Sequence, residues 1–193
     1  MRLNFDEATH TYTLDGEVIP SVTQIIRFLD VDVDKSRPWI RDEAARRGTL
    51  VHQACALIDY GEDDLLDLIP FDQQGYVKAY LNFLRDNRCD WKYIEAPDWC
   101  DYKGTKYAGT IDRYGKMNGA NVILDIKTGT SGAKTRHAAQ LTGYRNFPCV
   151  DPESFLYILY LKKDGTYKLV SHMPDEEAFE ACITLHNKLG GKK

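Results

Sequence analysis

An α/β fold, with a central mixed β-sheet flanked by helices, follows from three features of this chain. Residues 91–96, 107–114, 122–127, 155–161 and 167–171 read as strands, and helix-period apolar patterns stand before, between and after them. Asn118-Gly119, the preferred pair for a two-residue type I′ turn, centres the segment from Asp112 to Asp125 and predicts a hairpin there. Helices, a strand trio, a helix, two strands and a closing helix make a layered α/β arrangement.

Each element has a local reason. Residues 9–14 alternate and meet Asp15-Gly16, so a small hairpin with 17–19 is expected, ended by Pro20. Ser21-Val22-Thr23-Gln24 places serine at N-cap and glutamine at N3, a capping box opening a helix through about residue 29. Pro38 fits the first turn of a second helix that runs to Arg47 and is interrupted at Gly48. Thr49 then caps a third helix to about Tyr60, with His52 in its first turn. Asp72 caps a fourth, whose apolar stripe is Tyr76, Val77, Tyr80, Leu81 and Leu84. A helix over about 134–147 follows the strand trio. The last two strands turn at Asp164-Gly165, and Asp175 caps a closing helix to Leu189.

At 193 residues the chain suits one domain, with a short N-terminal hairpin extension over about 1–20. Hydrophobic residues make up 43% and charged residues 28%, as in an ordinary globular protein. Apolar runs fall short of the roughly 20 residues of a membrane span, and the N-terminus lacks a signal-peptide core. Cysteines 55, 89, 100, 149 and 182 form no CxxC pair, which argues for reduced thiols and against zinc or an iron–sulfur cluster. A net charge of −4 weighs against indiscriminate coating of nucleic acid. The basic residues are nonetheless grouped: Lys35, Arg37, Arg41, Arg46 and Arg47 in one stretch, Lys127, Lys134, Arg136 and Arg145 in another. Acids gather elsewhere, in Glu62-Asp63-Asp64 and Asp175-Glu176-Glu177.

Folding about Asn118-Gly119 sets Met117 against Ala120, Tyr114 against Ile123, and Asp112 against Asp125. Opposed carboxylates on one sheet face repel unless a cation sits between them. Lys127 returns to that face by the period-two alternation of a strand. Two hard oxygen donors and an amine suit Mg²⁺ or Mn²⁺ and phosphate chemistry, and the Ile126 carbonyl can add a ligand. Ile111, Val122, Leu124 and Ile126 are expected to bury on the reverse face. The bland alternative is two solvated aspartates beside a lysine.

Three further groups bear on the same chemistry. His52 can present its ring to a metal, with Gly48 allowing close backbone approach, or can be an ordinary structural histidine. Glu95 can add a carboxylate or hold a ligand in place. Gln140 and Tyr144, four apart on one helical face, can contact a nucleic-acid backbone or brace the lysine, or belong to the core.

In order, Gly48-x-x-x-His52, Glu95, Gly109-Thr110-Ile111-Asp112, Asp125-Ile126-Lys127 and Gln140-x-x-x-Tyr144 resemble the PD-(D/E)XK nuclease superfamily, in its RecB-like branch of phage exonucleases and CRISPR-associated relatives. Tyr12 with Pro20-Ser21-Val22-Thr23 is similar to the start of small phage members. The resemblance implies a restriction-endonuclease-like core, metal ligands at His52, Asp112, Asp125 and the Ile126 carbonyl, and a catalytic Lys127 assisted by Glu95. It implies Mg²⁺ or Mn²⁺ as cofactor and DNA as substrate, with Gln140 and Tyr144 as the helix motif flanking the site; the basic residues Arg46, Arg47, Lys134 and Arg136 are expected to seat flanking phosphates of the DNA. An exonuclease of phage-type recombination, repair or processing, in the bacterial or infected-host cytoplasm, is the activity it points to, with a single-strand annealing protein as partner by analogy. Aspartate stands at 125 where many members carry glutamate, and the cluster-binding cysteines of some relatives have no counterpart.

The alternative reading is a non-cleaving nucleic-acid-binding or scaffolding protein that keeps the fold. The acidic balance favours it; the intact acid–acid–lysine set disfavours it. A metal-dependent enzyme acting on a small phosphate ester ranks last, since the chain has no glycine-rich phosphate loop.

Overall fold

The computed structural model describes residues 1–30, 38–62, 69–129 and 134–189, with the side chains of 38, 40 and 41 left aside. Lys35, Arg37, Asp63 and Asp64 lie outside the described residues, as does the side chain of Arg41.

The chain opens with a three-stranded antiparallel sheet, β1 (Leu3–Asp6), β2 (Thr11–Leu14) and β3 (Glu17–Ile19). β2 and β3 form the expected hairpin, with Asp15 and Gly16 at φ of 51° and 89°. β1 is an addition to it. Ser21 caps α1 (Val22–Ile25) in a full capping box: its hydroxyl accepts from the Gln24 N–H at 3.1 Å, and the Gln24 side chain accepts from the Ser21 N–H at 2.9 Å. The helix then tightens into a 3₁₀ turn at Ile26–Leu29.

One correction concerns the next segment. α2 (Pro38–Tyr60) is unbroken, where two helices parted at Gly48 were expected. A glycine inside a helix costs about 1 kcal/mol. Complete burial of Val51, Ala54 and Cys55 just beyond it outweighs that. Thr49 is therefore no cap; its hydroxyl donates one turn back to the Ala45 carbonyl at 3.2 Å. His52 stands in mid-helix.

Asp72 does not cap α3 (Gln74–Asp86) either. A 3₁₀ turn at Phe71–Gln73 leads in, and the Asp72 carboxylate accepts from the Gln73 side chain at 2.7 Å. The buried stripe of α3 is Tyr76, Val77, Ala79, Tyr80 and Phe83, whereas Leu81 is exposed.

The main sheet is five-stranded and mixed: β4 (Cys89–Tyr102), β5 (Thr105–Met117), β6 (Ala120–Lys127), β7 (Phe155–Leu161) and β8 (Tyr167–His172), adjacent in that order. All neighbours are antiparallel except β6 and β7, which run parallel across a connection that includes α4 (Lys134–Arg145). β4 continues through Pro97, past the expected end at 96. Proline is tolerated there because β4 is the sheet edge. Asn118 and Gly119 have φ of 53° and 90°, and the register follows as expected from Met117↔Ala120 to Tyr114↔Ile123. Asp175 caps α5 (Glu176–Lys188), accepting from the Ala178 N–H at 3.0 Å.

Helices cover both faces. Val22, Leu141, Tyr144 and Phe179 pack with Tyr107, Ile123 and Ile158 of the sheet, while Val51, Cys55, Tyr80 and Phe83 pack with Val122, Leu124 and Ile126. Ile111 belongs to the first group, not with Val122, Leu124 and Ile126 as simple alternation predicts. Its change of face falls where the pairing of β5 with β6 ends. The N-terminal sheet joins the body through Tyr12, Leu14 and Ile19 against Ala108, whose N–H donates to the Pro20 carbonyl at 2.9 Å. Among the described residues no helix is long and apolar enough to cross a membrane.

Candidate functional site

The β5–β6 ladder ends at Arg113↔Leu124. At the next position the strands part, and Asp112 and Asp125 stand at the seam, 7% and 1% exposed. Each carboxylate is held. Asp112 Oδ2 accepts from the Ile126 backbone N–H at 2.6 Å, replacing a ladder bond with a side-chain bond. Asp125 Oδ2 lies 2.6 Å from Lys127 Nζ, and Asp125 Oδ1 accepts from Gln140 Nε2 at 3.0 Å.

On the α2 side, His52, Glu95 and Asp112 bring one donor atom each within 4.8 Å of one another. His52 Nδ1 is 3.3 Å from Glu95 Oε1 and 3.6 Å from Asp112 Oδ2. Its Nε2 lies 2.9 Å from the Ile126 carbonyl oxygen, so that oxygen meets the imidazole. Glu95 reaches the group through an unusual backbone. It has φ of 46° within β4, a left-handed conformation costing roughly 1–3 kcal/mol in a non-glycine residue. The pairing of β4 with β5 already slips between Trp91 and Tyr93. Gly115 makes room for that bulge, since a Cβ there would lie 2.3 Å from the Asp90 carbonyl oxygen.

Arg113, the largest fully buried side chain among the described residues, secures this geometry from behind. Its guanidinium donates to Glu95 Oε1 at 2.9 Å and to the Asp112 carbonyl at 2.6 Å, and pairs with Asp59 from the last turn of α2. Tyr80 donates to the same Asp59 carboxylate at 2.6 Å. The sequence pattern did not single out Arg113 or Asp59. A charge inside an apolar strand was the available signal, because buried arginine demands carboxylate partners.

The electrostatics follow from crowding. Burial raises the pKa of Asp112 and of Asp125 above the usual carboxylate range, against the pull of His52 and of Lys127 respectively. Burial alone would lower His52, but Asp112 and Glu95 more than reverse this and raise it to about 9. Burial likewise opposes the Lys127 charge, and Asp125 with Asp112 overcomes it, so its pKa is raised. An imidazole beside two carboxylates is a donor set that can hold a divalent metal ion. His52, Glu95 and Asp112 fit such an ion in type and spacing.

These groups form the floor of a cleft of about 520 Å³. One wall is the α2 face Gly48, Thr49, His52, Gln53 and Ala56, spaced by one helical turn. A Cβ on Gly48 would meet nothing within 4 Å, so the helix backbone is open to the cleft there. The opposite wall comes from the N-terminal sheet, with Phe5, Glu7, His10 and Tyr12. Tyr12 is fastened to the floor by its hydroxyl, 2.7 Å from Thr110 Oγ1.

Among the sequence-predicted residues, His52, Glu95, Asp112, Asp125, Lys127, Gln140 and Tyr144 all line this cleft. Gln140 and Tyr144 are buried, and Gln140 Nε2 donates to both Asp125 and the Tyr144 hydroxyl, each at 3.0 Å. They therefore brace Asp125. Gly109 lets Tyr144 approach, since a Cβ there would lie 2.8 Å from the ring. Arg46, Arg47, Lys134 and Arg136 are not among the cleft-lining residues. Arg47 lies over the Tyr76 ring at 5.8 Å, Arg136 pairs with Asp30, and Arg46 and Lys134 are exposed.

No family model matches the chain, and no curated protein matches it. Among solved structures, one described as the crystal structure of SSO0001 is similar over 85% of this chain and 84% of its own, at 15% identity and a TM-score of 0.35. At that score the likeness is too loose to argue from.

Proposed function

We propose that this chain is a Mg²⁺- or Mn²⁺-dependent deoxyribonuclease of PD-(D/E)XK type, with a restriction-endonuclease-like core, hydrolysing phosphodiester bonds of DNA as an exonuclease in phage-type recombination or repair. One observation carries the reading. His52, Glu95 and Asp112 meet within 4.8 Å on the floor of a cleft that also holds the Asp125–Lys127 pair. A structural ion pair does not call for a histidine and two further carboxylates converging beside it on the floor of a cleft.

His52, Glu95 and Asp112 would hold a divalent ion, which would supply Lewis acidity toward a phosphoryl oxygen and a more acidic water. The protein's own groups do the rest. Lys127 is kept protonated by two carboxylates, which favours orienting a water and offsetting phosphoryl charge over removing a proton. Asp125 fixes the Lys127 ammonium, and Gln140 with Tyr144 fixes Asp125. Arg113 holds Glu95 in its strained conformation. The open backbone at Gly48 gives a phosphate access from the α2 side.

The test is digestion of end-labelled linear and circular DNA with Mg²⁺ or Mn²⁺. Chelator-sensitive shortening of the linear substrate supports the proposal. Both substrates staying intact, despite metal binding measured by calorimetry, refutes it and favours a non-cleaving binding protein.

A further inference from the structure

The N-terminal sheet brings three aromatic rings into the cleft in series. Phe5 stacks on Tyr12 with centroids 4.5 Å apart and planes at 22°, and His10 meets Phe5 edge-on at 5.3 Å and 80°. Tyr12 is buried and tied to Thr110, two residues before Asp112, so the series starts beside the acidic floor. Phe5 is half-buried and His10 exposed, so the outer rings are accessible. The turn carrying His10 is preordered. Asp6 Oδ1 accepts from the Ala8 N–H at 3.0 Å, and Asp6 Oδ2 accepts from the Thr9 hydroxyl at 2.8 Å. His10 itself is held at φ of 54°.

Charge decides what such a wall can receive. It carries Glu7 and no lysine or arginine, and Lys127 on the floor is the one such cation among the described cleft-lining residues. A phosphodiester backbone is repelled by Glu7 and drawn toward Lys127. The group left facing the wall is the base.

Resting on the nuclease reading and deepening it, we infer that Phe5, His10 and Tyr12 form a stacking platform for an unpaired nucleobase of the strand whose phosphate lies on the acidic floor. The substrate at the reacting position is then single-stranded, and a duplex end must fray to enter. Stacking on aromatic side chains is tolerant of base identity, so the platform confers strandedness and little sequence preference.

The test is fluorescence anisotropy with a labelled thymidine hexanucleotide and an abasic strand of equal phosphate count, with Ca²⁺ as the ion. The wild-type protein should bind the base-bearing strand about tenfold or more tightly, the scale of base–aromatic stacking. Phe5→Leu should abolish that preference while abasic binding stays the same, and Phe5→Tyr should retain it. His10→Asn, which tolerates the left-handed backbone, should reduce the preference about threefold and serves should Phe5→Leu fail to fold. Equal wild-type binding of the two strands, no binding of either, or an unchanged preference in Phe5→Leu and His10→Asn overturns the platform. Metal-dependent digestion by the same preparation decides the nuclease reading separately. Cutting without base preference removes the platform alone, and base preference without cutting removes the nuclease alone.

Discussion

The Asp112 carboxylate accepts the Ile126 backbone N–H at 2.6 Å, closing the seam where two paired strands begin to separate. The same oxygen lies 3.6 Å from His52 Nδ1. One atom thus serves both the sheet and the acidic group, and the two roles are separable by mutation. An asparagine can still accept the N–H through its amide oxygen, but it brings no charge. Burial also raises the Asp112 pKa, so its ionised form costs stability at neutral pH. Asp112→Asn should therefore cut nuclease activity at least a hundredfold. In metal-free protein it should raise Tm. Calorimetric melting with parallel digestion checks both; a lower Tm contradicts the assignment of Asp112 as a strained, functional acid.

His52 sets a pH dependence. Its folded-state pKa is raised from 6.5 to about 9, so its charged form contributes stability fully below pH 6.5 that is lost as pH climbs through 9. Metal-free protein should lose thermal stability over that window, and His52→Gln should lose less. A metal must displace the His52 proton, so affinity for Mn²⁺ should rise up to tenfold per pH unit below 9, with proton release. Titration calorimetry in buffers of different ionisation enthalpy measures it. Affinity independent of pH would remove His52 from the ligand set.

Arg113 is fully buried between Asp59 and Glu95. Arg113→Met leaves those carboxylates without their partner and should destabilise the fold by roughly 3–5 kcal/mol. Adding Asp59→Leu should restore part of the loss. Urea unfolding of the single and double variants checks this, and additive losses would show that the two residues do not share an interaction.

Gly109→Ala tests the brace behind Asp125. The added methyl would lie 2.8 Å from the Tyr144 ring and push it against Gln140. The expected cost is about 1–3 kcal/mol of stability. A rate loss of about tenfold with little change in DNA affinity should accompany it, through displacement of Asp125 and Lys127. Single-turnover rates and binding, measured separately, distinguish this from general loosening.

The legible parts of the fold were those set by neighbouring residues. Asn118-Gly119 fixes its own turn by positive φ, and the register of β5 on β6 follows by counting. Ser21 and Asp175 announce helix starts through their own hydrogen bonds. Gly48 misled because its local cost is overruled by the burial of Val51, Ala54 and Cys55, which depends on a sheet some 70 residues downstream. The left-handed Glu95 and the neighbouring bulge were likewise settled by tertiary pairing; Gly115, a glycine inside a strand, was their one local signal. At the site, the acids, lysine, histidine, glutamine and tyrosine were visible as spaced types. The aromatic wall was not, because its rings belong to a small sheet that reaches the cleft only in three dimensions.

The most direct measurement is the single-turnover rate of phosphodiester cleavage in saturating Mn²⁺ by wild-type protein and by Lys127→Met. The expected result is shortening of linear DNA by the wild type and, at saturating DNA, a rate at least a hundredfold lower in the variant, with metal binding within a fewfold. Equal rates in the two proteins, or intact DNA with the metal-loaded wild type, would contradict the account.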